Sequence, residues 1–307
     1  MQSARCRAAF LGVLLGLLGA SSLWAGTAYN FESCAAGVNG SGQAIGVWNG
    51  APPAGCDGWY TPPPSVVPGT AAASVYAYNY LQGSPYGFTA DPAGGNNVLG
   101  LTGGSAGAVE RAQHDFAFSP AGEWSVGYDL SETNLSSAGN SFGADYIGSF
   151  SAWDVNKLGS AFTVLGAWEN ATTSSTWAST YYVYDANGNA LNPNGVSPGA
   201  AWTGLDQSDW YHESAIFDEN SNQIVAVAIT DLTTGATTTV DPTGWYMAGG
   251  AGAQAPLNAF RFAGLGQSNA LLVDNVEVGA VAPEPATLLL MGLGFAATIA
   301  LRRRIPR

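Results

Sequence analysis

The sequence predicts an all-β body, a jelly-roll β-sandwich, and three observations lead there. Short runs of alternating apolar and polar residues recur between turn-forming residues, as half-buried strands require. Gly, Ser, Thr, Asn, Tyr and Trp are abundant while Lys, Glu and Leu are scarce, which disfavours long helices. Away from the two ends, no stretch sustains a 3.6-residue period. The body, residues 29–280, is about 250 residues long, enough for one large sandwich domain.

The elements follow in chain order. Residues 74–80 (SVYAYNY) have a period of two, and residues 97–101 read as a second strand. Residues 123–130 (EWSVGYDL) put Trp124, Val126 and Tyr128 on one face. Residues 181–184 run into the turn Asp185-Ala186-Asn187-Gly188, whose Asn-Gly pair is a strong hairpin cue. A meander follows: Ala215-Ile216-Phe217, a turn over 218–222, a strand over 224–231, the pair Thr234-Gly235 and a strand over 237–240. Residues 271–278 (LLVDNVEV) close the domain. Many short strands at regular intervals fit a sandwich or jelly roll.

Two hydrophobic ends flank this body. At the first, Arg5 and Arg7 precede an uncharged apolar stretch over 8–20 and the small residues Ala25-Gly26-Thr27-Ala28. That order predicts a signal peptide over residues 1–25, cleaved between 25 and 28. At the other end, Pro283-Glu284-Pro285 interrupts regular structure before an uncharged apolar run over 286–301 and the cluster Arg302-Arg303-Arg304. As a helix the run would reach roughly 24 Å, short of a bilayer core of about 30 Å but within reach of thinning and snorkelling. The arginines are expected to stay cytoplasmic, with everything before Pro283 outside.

This Pro-Glu-Pro corner, short span and basic end, over residues 283–307, resembles the PEP-CTERM sorting signal. The resemblance implies recognition by an exosortase-type processing enzyme at the inner membrane. It implies transient anchoring through a transmembrane helix over 286–301, then a place at the cell surface or outside the cell.

Removing both ends changes the charge. Arg111, Lys157 and Arg261 remain against twenty-one acids, a net charge of −18 for the mature body. Such a surface excludes a nucleic-acid partner, which needs positive charge against phosphate, and argues against docking on anionic headgroups. Cys6 leaves with the signal, so Cys34 and Cys56 remain as an even pair in an oxidising compartment. A bridge between them would stabilise by roughly 3 kcal/mol, and free thiols or a shared metal are the alternatives.

Three further pieces carry a second resemblance. Tyr29-Asn30-Phe31-Glu32 is similar to an opening strand, with Gly46-Val47-Trp48 and Gly58-Trp59-Tyr60 close behind. Trp210-Tyr211-His212-Glu213 leads into the hairpin at Asp218, and Val273-Asp274-Asn275-Val276 is similar to a terminal strand. Together they resemble the concanavalin A-like lectin and laminin G-like jelly rolls. That resemblance implies that the last strand pairs beside the first.

Catalytic constellations are weak. Laminarinase-type relatives of that fold carry E-x-D-x-E or E-x-D-x-x-E, two carboxylates on one strand face for nucleophile and acid. Here no glutamate is followed two residues later by aspartate. G-x-S-x-G occurs around Ser105 and Ser141, but neither is followed by the helix a nucleophile elbow needs, and glycine abundance makes chance matches expected. His114 and His212 are far apart in sequence and read as ordinary sheet residues. Asp185-Ala186-Asn187-Gly188-Asn189 and Asp218-Glu219-Asn220 offer oxygen donors for calcium, but both also fit hairpin turns without metal. No cofactor is expected, and a structural calcium beside Asp274 and Asn275 is left unassigned.

The remaining hypothesis is carbohydrate. Trp48, Trp59 and Tyr60 lie in a Gly/Pro-rich stretch, where aromatic faces on loops could stack on sugar rings. Alternatively these rings cap the sandwich core. The expected function is therefore a non-enzymatic exported surface or extracellular-matrix protein associated with exopolysaccharide or biofilm. A lectin-like carbohydrate-binding module is the alternative, and a secreted hydrolase the least supported.

Overall fold

The computed structural model describes residues 25–32, 58–61, 70–72, 74–77, 91–92, 95, 97–102, 109–115, 122–134, 146–153, 165–171, 176–191, 201–207, 209–253, 259–264 and 269–281. Cys34, Cys56, Trp48, Ser105, Ser141, Pro283, Glu284, Pro285, Arg302, Arg303 and Arg304 lie outside these residues, as do the 286–301 span and all but the end of the expected signal peptide. The unit Thr27–Gly279 holds the architecture below; of the unit formed by Met1–Gly26 with Ala280–Arg307, only residues 25, 26, 280 and 281 are described.

In chain order the strands are β1 (Ala25–Tyr29), β2 (Thr70–Ala72), β3 (Ser74–Ala77), β4 (Asn97–Thr102), β5 (Val109–Asp115), β6 (Glu123–Asn134), β7 (Tyr146–Trp153) and β8 (Leu165–Ala171). They continue as β9 (Thr176–Tyr182), β10 (Ala201–Asp206), β11 (Trp210–Asp218), β12 (Gln223–Asp231), β13 (Thr237–Val240), β14 (Ala259–Gly264) and β15 (Asn269–Ala280). One sheet runs β13-β12-β11-β6-β15-β4-β3, with β1 also paired to β15. The other runs β10-β9-β8-β7-β14-β5-β2. The chain crosses repeatedly between the two sheets, as a jelly roll does, and the first strand pairs with the last. Among the described residues no helix is long and apolar enough to cross a membrane.

Alternation builds the β11–β12–β13 meander. In β11, Tyr211, Glu213, Ala215 and Phe217 are buried while His212, Ser214, Ile216 and Asp218 are partly exposed. The β11–β12 turn closes through Asp218, whose Oδ1 accepts from Asn220 N at 2.9 Å and Oδ2 from Ser221 Oγ at 2.7 Å. Asn222, in the left-handed region at φ 60°, donates its side-chain amide to the carbonyls of Met247, Ala248 and Gly250, straining nothing because Asn tolerates that conformation.

β6 departs from expectation. Trp124, Val126 and Tyr128 pack toward the core as its period of two predicts, but Ser125 and Asp129 on the alternate positions are buried too. The reason is position: β6 lies between β11 and β15, and His212 and Asn275 on those neighbours cover its second face.

β1 starts at Ala25. A signal cut after Ala25 would leave nearly all of it, whereas a cut after Ala28 would leave only Tyr29.

The core fills the space between the sheets. Phe262 of β14 meets Tyr128 of β6 edge-on at 5.2 Å between ring centroids, and Trp59 at 5.7 Å. The sheets lie close together where Gly264 faces Leu101: a Cβ on Gly264 would lie 2.7 Å from the Leu101 carbonyl carbon. Gly264→Ala should therefore lower stability by about 1–3 kcal/mol through overpacking, read as a fall in the urea midpoint with an unchanged far-UV spectrum. Trp59→Ala should cost more, about 3–5 kcal/mol, in the same assay.

Candidate functional site

Trp59 is 0% exposed, enclosed by Tyr29, Phe31, His114 and Phe262, so it offers no face to a sugar. This corrects its expected role as a glycan contact and fits the core-capping alternative. A large indole flanked by apolar rings gains more from burial than from solvent. Tyr60, its neighbour, is half-buried. Its backbone forms a two-way bridge with Gln113 at 2.8 Å in each direction, and its hydroxyl donates to the Asp115 carboxylate at 2.8 Å.

Tyr60 belongs to a polar cluster on β5 and β14. Gln113 Nε2 donates to Tyr60 Oη at 2.6 Å and to Asp115 Oδ1 at 2.7 Å, while Gln113 Oε1 accepts from Arg261 Nε at 3.1 Å and Nη2 at 2.5 Å. Burial and the hydrogen bond to Asp115 push the Tyr60 phenol well above its ordinary pKa. Burial, with the charge of Arg111, brings Arg261 down to about 9. Two of the three basic residues between positions 29 and 280 thus sit on adjacent strands, in register with one another's neighbours.

Two buried carboxylates occupy opposite faces of the β6–β11 pair. Glu213 points between the sheets, where its Oε2 accepts from Tyr128 Oη at 2.5 Å and its Oε1 from Ser179 Oγ at 2.6 Å. Burial raises its pKa. On the other face, His212 Nδ1 lies 2.6 Å from Asp129 Oδ1, and Asn275 Nδ2 bridges Asp129 Oδ2 and Asp91 Oδ2 at 2.9 and 2.8 Å. Asn275 adopts φ 46° in β15 and takes its own N–H to Asp274 Oδ1 at 2.8 Å. His212 is thus a sheet residue with a carboxylate partner. Among the described residues no group of three or more acidic, His or Cys side chains is arranged to hold a metal ion. The Asp185 turn uses both carboxylate oxygens internally, on Asn187 N, Asn189 N and Asn189 Nδ2.

Among the described residues an open pocket of about 440 Å³, which nothing in the sequence suggested, lies at the ends of β10 to β13. Its wall includes Trp202 and Tyr211, and its rim includes Thr203, Asp206, Asp231 and Thr238. Gly204, at φ 73° on a register shift in β10, makes the bulge that separates Thr203 from Leu205. Two buried rings pin the strand end: Asp206 N donates to Tyr211 Oη at 2.8 Å, and Asp206 O accepts from Trp177 Nε1 at 3.3 Å. Asp231 caps its turn, accepting from Thr233 N, Thr234 N and Thr234 Oγ1. Burial alone would raise the Asp231 pKa, but those hydrogen bonds outweigh it and hold the carboxyl lower. The nearby Asp209 is shifted up by burial and by the charges of Asp206 and Asp231. Burial and the same three anions push the Tyr211 phenol up to about 12. Only the alternation at Tyr211 hinted at this place, because the pocket joins segments about 30 residues apart in sequence.

Residues 281–304 match the family model described as the PEP-CTERM protein-sorting motif. The tail is a sorting signal. It implies export, a C-terminal membrane anchor and processing by an exosortase. No curated protein matches the chain in sequence. Among solved structures, the chain is similar to an endo-1,3-β-glucanase from Streptomyces sioyaensis at 15% identity and a TM-score of 0.44, covering 86% of this chain and 98% of that one. It is similar to lectin II from Ulex europaeus at 11% identity and a TM-score of 0.39, covering 62% and 89%. A legume lectin-like domain from Entamoeba histolytica stands at 11% identity and a TM-score of 0.39, covering 62% and 86%. All three likenesses lie too low to bear on function.

The His212–Asp129 pair gives a pH dependence with a definite sign. Burial favours the neutral ring, but the hydrogen bond and charge of Asp129, with Glu277 and Glu213, hold the His212 pKa above its ordinary value. The stabilisation is then full below about pH 6.5 and is lost as pH rises through the folded-state value. His212→Gln should cost about 1–2 kcal/mol at pH about 6 and close to nothing at pH about 9, measured by urea unfolding at both.

Proposed function

We propose that this chain is an exported, non-enzymatic surface or matrix protein, released by an exosortase-type enzyme and associated with polysaccharide outside the cell. The observation that carries the reading is the sorting motif over residues 281–304. An apolar span followed by arginines holds the chain at the membrane only until it is cut, so the working protein is the acidic sandwich alone. Its net charge of −18 suits a soluble, well-hydrated component of an extracellular layer. The signal peptide expected over residues 1–25 supplies the entry to that route.

A second reading, that the sandwich binds glycan, is favoured by the pocket on β10 to β13. Its volume falls in the range of about 300–1,000 Å³ usual for small-molecule sites, and its wall and rim combine aromatic rings with hydroxyls and carboxylates. Binding is favoured over cleavage because no E-x-D-x-E pair occurs and Asp231 is committed to its turn.

Sorting is tested in a producing cell. With Pro283→Ala and Pro285→Ala together, the chain should stay in the membrane fraction at full mass, while the natural sequence appears outside, shorter by its tail. Equal release of both forms would remove the reading.

A further inference from the structure

The Asn187-Gly188 pair, a hairpin cue in the sequence, carries a second chemistry. It is the one Asn-Gly pair among the described residues, and Asn187 is exposed. Where glycine follows asparagine, no side chain shields the glycine nitrogen from the amide carbon Cγ of the residue before it. Once deprotonated, that nitrogen can attack Cγ: a C–N bond forms, the Cγ–Nδ2 bond breaks, and ammonia leaves with a proton from solvent. The succinimide so formed takes up water at either carbonyl. Opening at Cγ gives aspartate, and opening at the backbone carbonyl gives isoaspartate, with the chain rerouted through Cβ and Cγ.

The fold opposes that step in three ways. Gly188 N donates to Asp185 O at 3.0 Å, a bond that loss of its proton would break. Asp185 Oδ1 accepts from Asn187 N at 2.8 Å and Asn189 N at 2.9 Å, and its Oδ2 from Asn189 Nδ2 at 3.0 Å. An anion thus already sits inside the turn and disfavours a second one on the next amide. The third is the loop over 247–253, which lies against the turn. Ala251 N donates to Ala186 O at 3.0 Å, and a Cβ on Gly250 would stand 2.5 Å from Gly188 N and 2.6 Å from Ala186 O. The fully buried Asn222 seats this loop, its Nδ2 donating to the carbonyls of Met247, Ala248 and Gly250. With the loop in place, the Asn187–Gly188 peptide has no room to turn toward ring closure.

We propose that Asn187 is a fold-gated deamidation site, kept as asparagine while the 247–253 loop is seated and converted, with water as co-reactant, when that loop lifts. The product does not fit the closed form. Isoaspartate adds a backbone atom to a turn that Gly250 already approaches too closely for a methyl group, and either product puts a second carboxylate beside Asp185. Conversion is therefore one-way, and it leaves a lifted loop as a mark of age on a protein that works outside the cell that made it.

The test holds the exported protein at mildly alkaline pH and follows residue 187 by peptide mapping with isoaspartate-specific methyl labelling. A synthetic peptide of residues 181–192 is the ungated reference. Asn187 should convert at least about tenfold more slowly in the folded protein than in the peptide, in proportion to the fraction of molecules with the loop open. Urea below the unfolding midpoint should speed conversion in step with amide exchange at Gly188 and Ala251, which needs no variant. Asn222→Ala, by freeing three loop carbonyls, should raise the folded-state rate at least about fivefold. The converted fraction, separated by charge, should exchange the Ala251 N–H faster than the unconverted one.

Conversion as fast in the folded protein as in the peptide would overturn the gate. A rate that stays flat while urea raises exchange at Gly188 and Ala251 would overturn the part played by the loop. A converted fraction with unchanged exchange at Ala251 would overturn the one-way step.

Discussion

The body depends on two sheets staying face to face across a seam of aromatic rings. Phe262 is the joint: it meets Tyr128 from the opposite sheet and Trp59 from the early segment. Trp59 in turn gathers Tyr29, Phe31 and His114, so the opening strand is tied to the same seam. Tyr128 works in two ways. Its ring packs on Phe262 while its hydroxyl holds the buried Glu213, which Ser179 of the second sheet also binds. A carboxyl between sheets is tolerated because its oxygens are engaged and its pKa has risen toward the neutral form. The seam therefore joins the sheets by packing and by hydrogen bonds at once.

The high negative charge has a division of labour. Asp185, Asp231 and Asp241 serve their own turns, and hydrogen bonds from Asn189, Thr234 and Thr243 help hold their pKa values low. Such carboxylates are structural, and they account for part of an acidity that could be mistaken for a cation-binding surface. Asp206 and Asp209 differ. Asp206 lines the pocket rather than folding back on a turn, and Asp209 is destabilised as an anion by burial and by the charges of Asp206 and Asp231. Where an acidic residue stands in its loop thus says more about its role than the total charge does.

The meander over residues 215–240 could be read from sequence almost strand by strand, because strict alternation and Asp/Asn/Gly turns act locally; that its first strand starts at Trp210 could not. The terminal strand and its pairing with the first were also anticipated, and β15 runs from Asn269 to Ala280 around the 271–278 segment. β14 was not anticipated: all six of its residues are buried, Arg261 included, so it has no polar face to reveal a period. Trp59 was ambiguous for a related reason. A Gly/Pro-rich loop says that an aromatic ring is near the surface of the chain's path, not which way the ring turns. Glu213 was readable in principle, since it shares pleat parity with Tyr211, Ala215 and Phe217. The pocket was beyond reach because it exists only once β10 and the β12–β13 turn are brought together.

The position of β15 has a consequence for folding. It lies between β6 and β4 in the interior of its sheet, yet among the described strands it is the last in the chain. The sheet cannot reach its final strand order until that last segment is made, so its interior pairing is long-range by construction. Loop-closure entropy has to be met before those central contacts form, which makes the insertion of β15 the slow part of folding expected of such a topology.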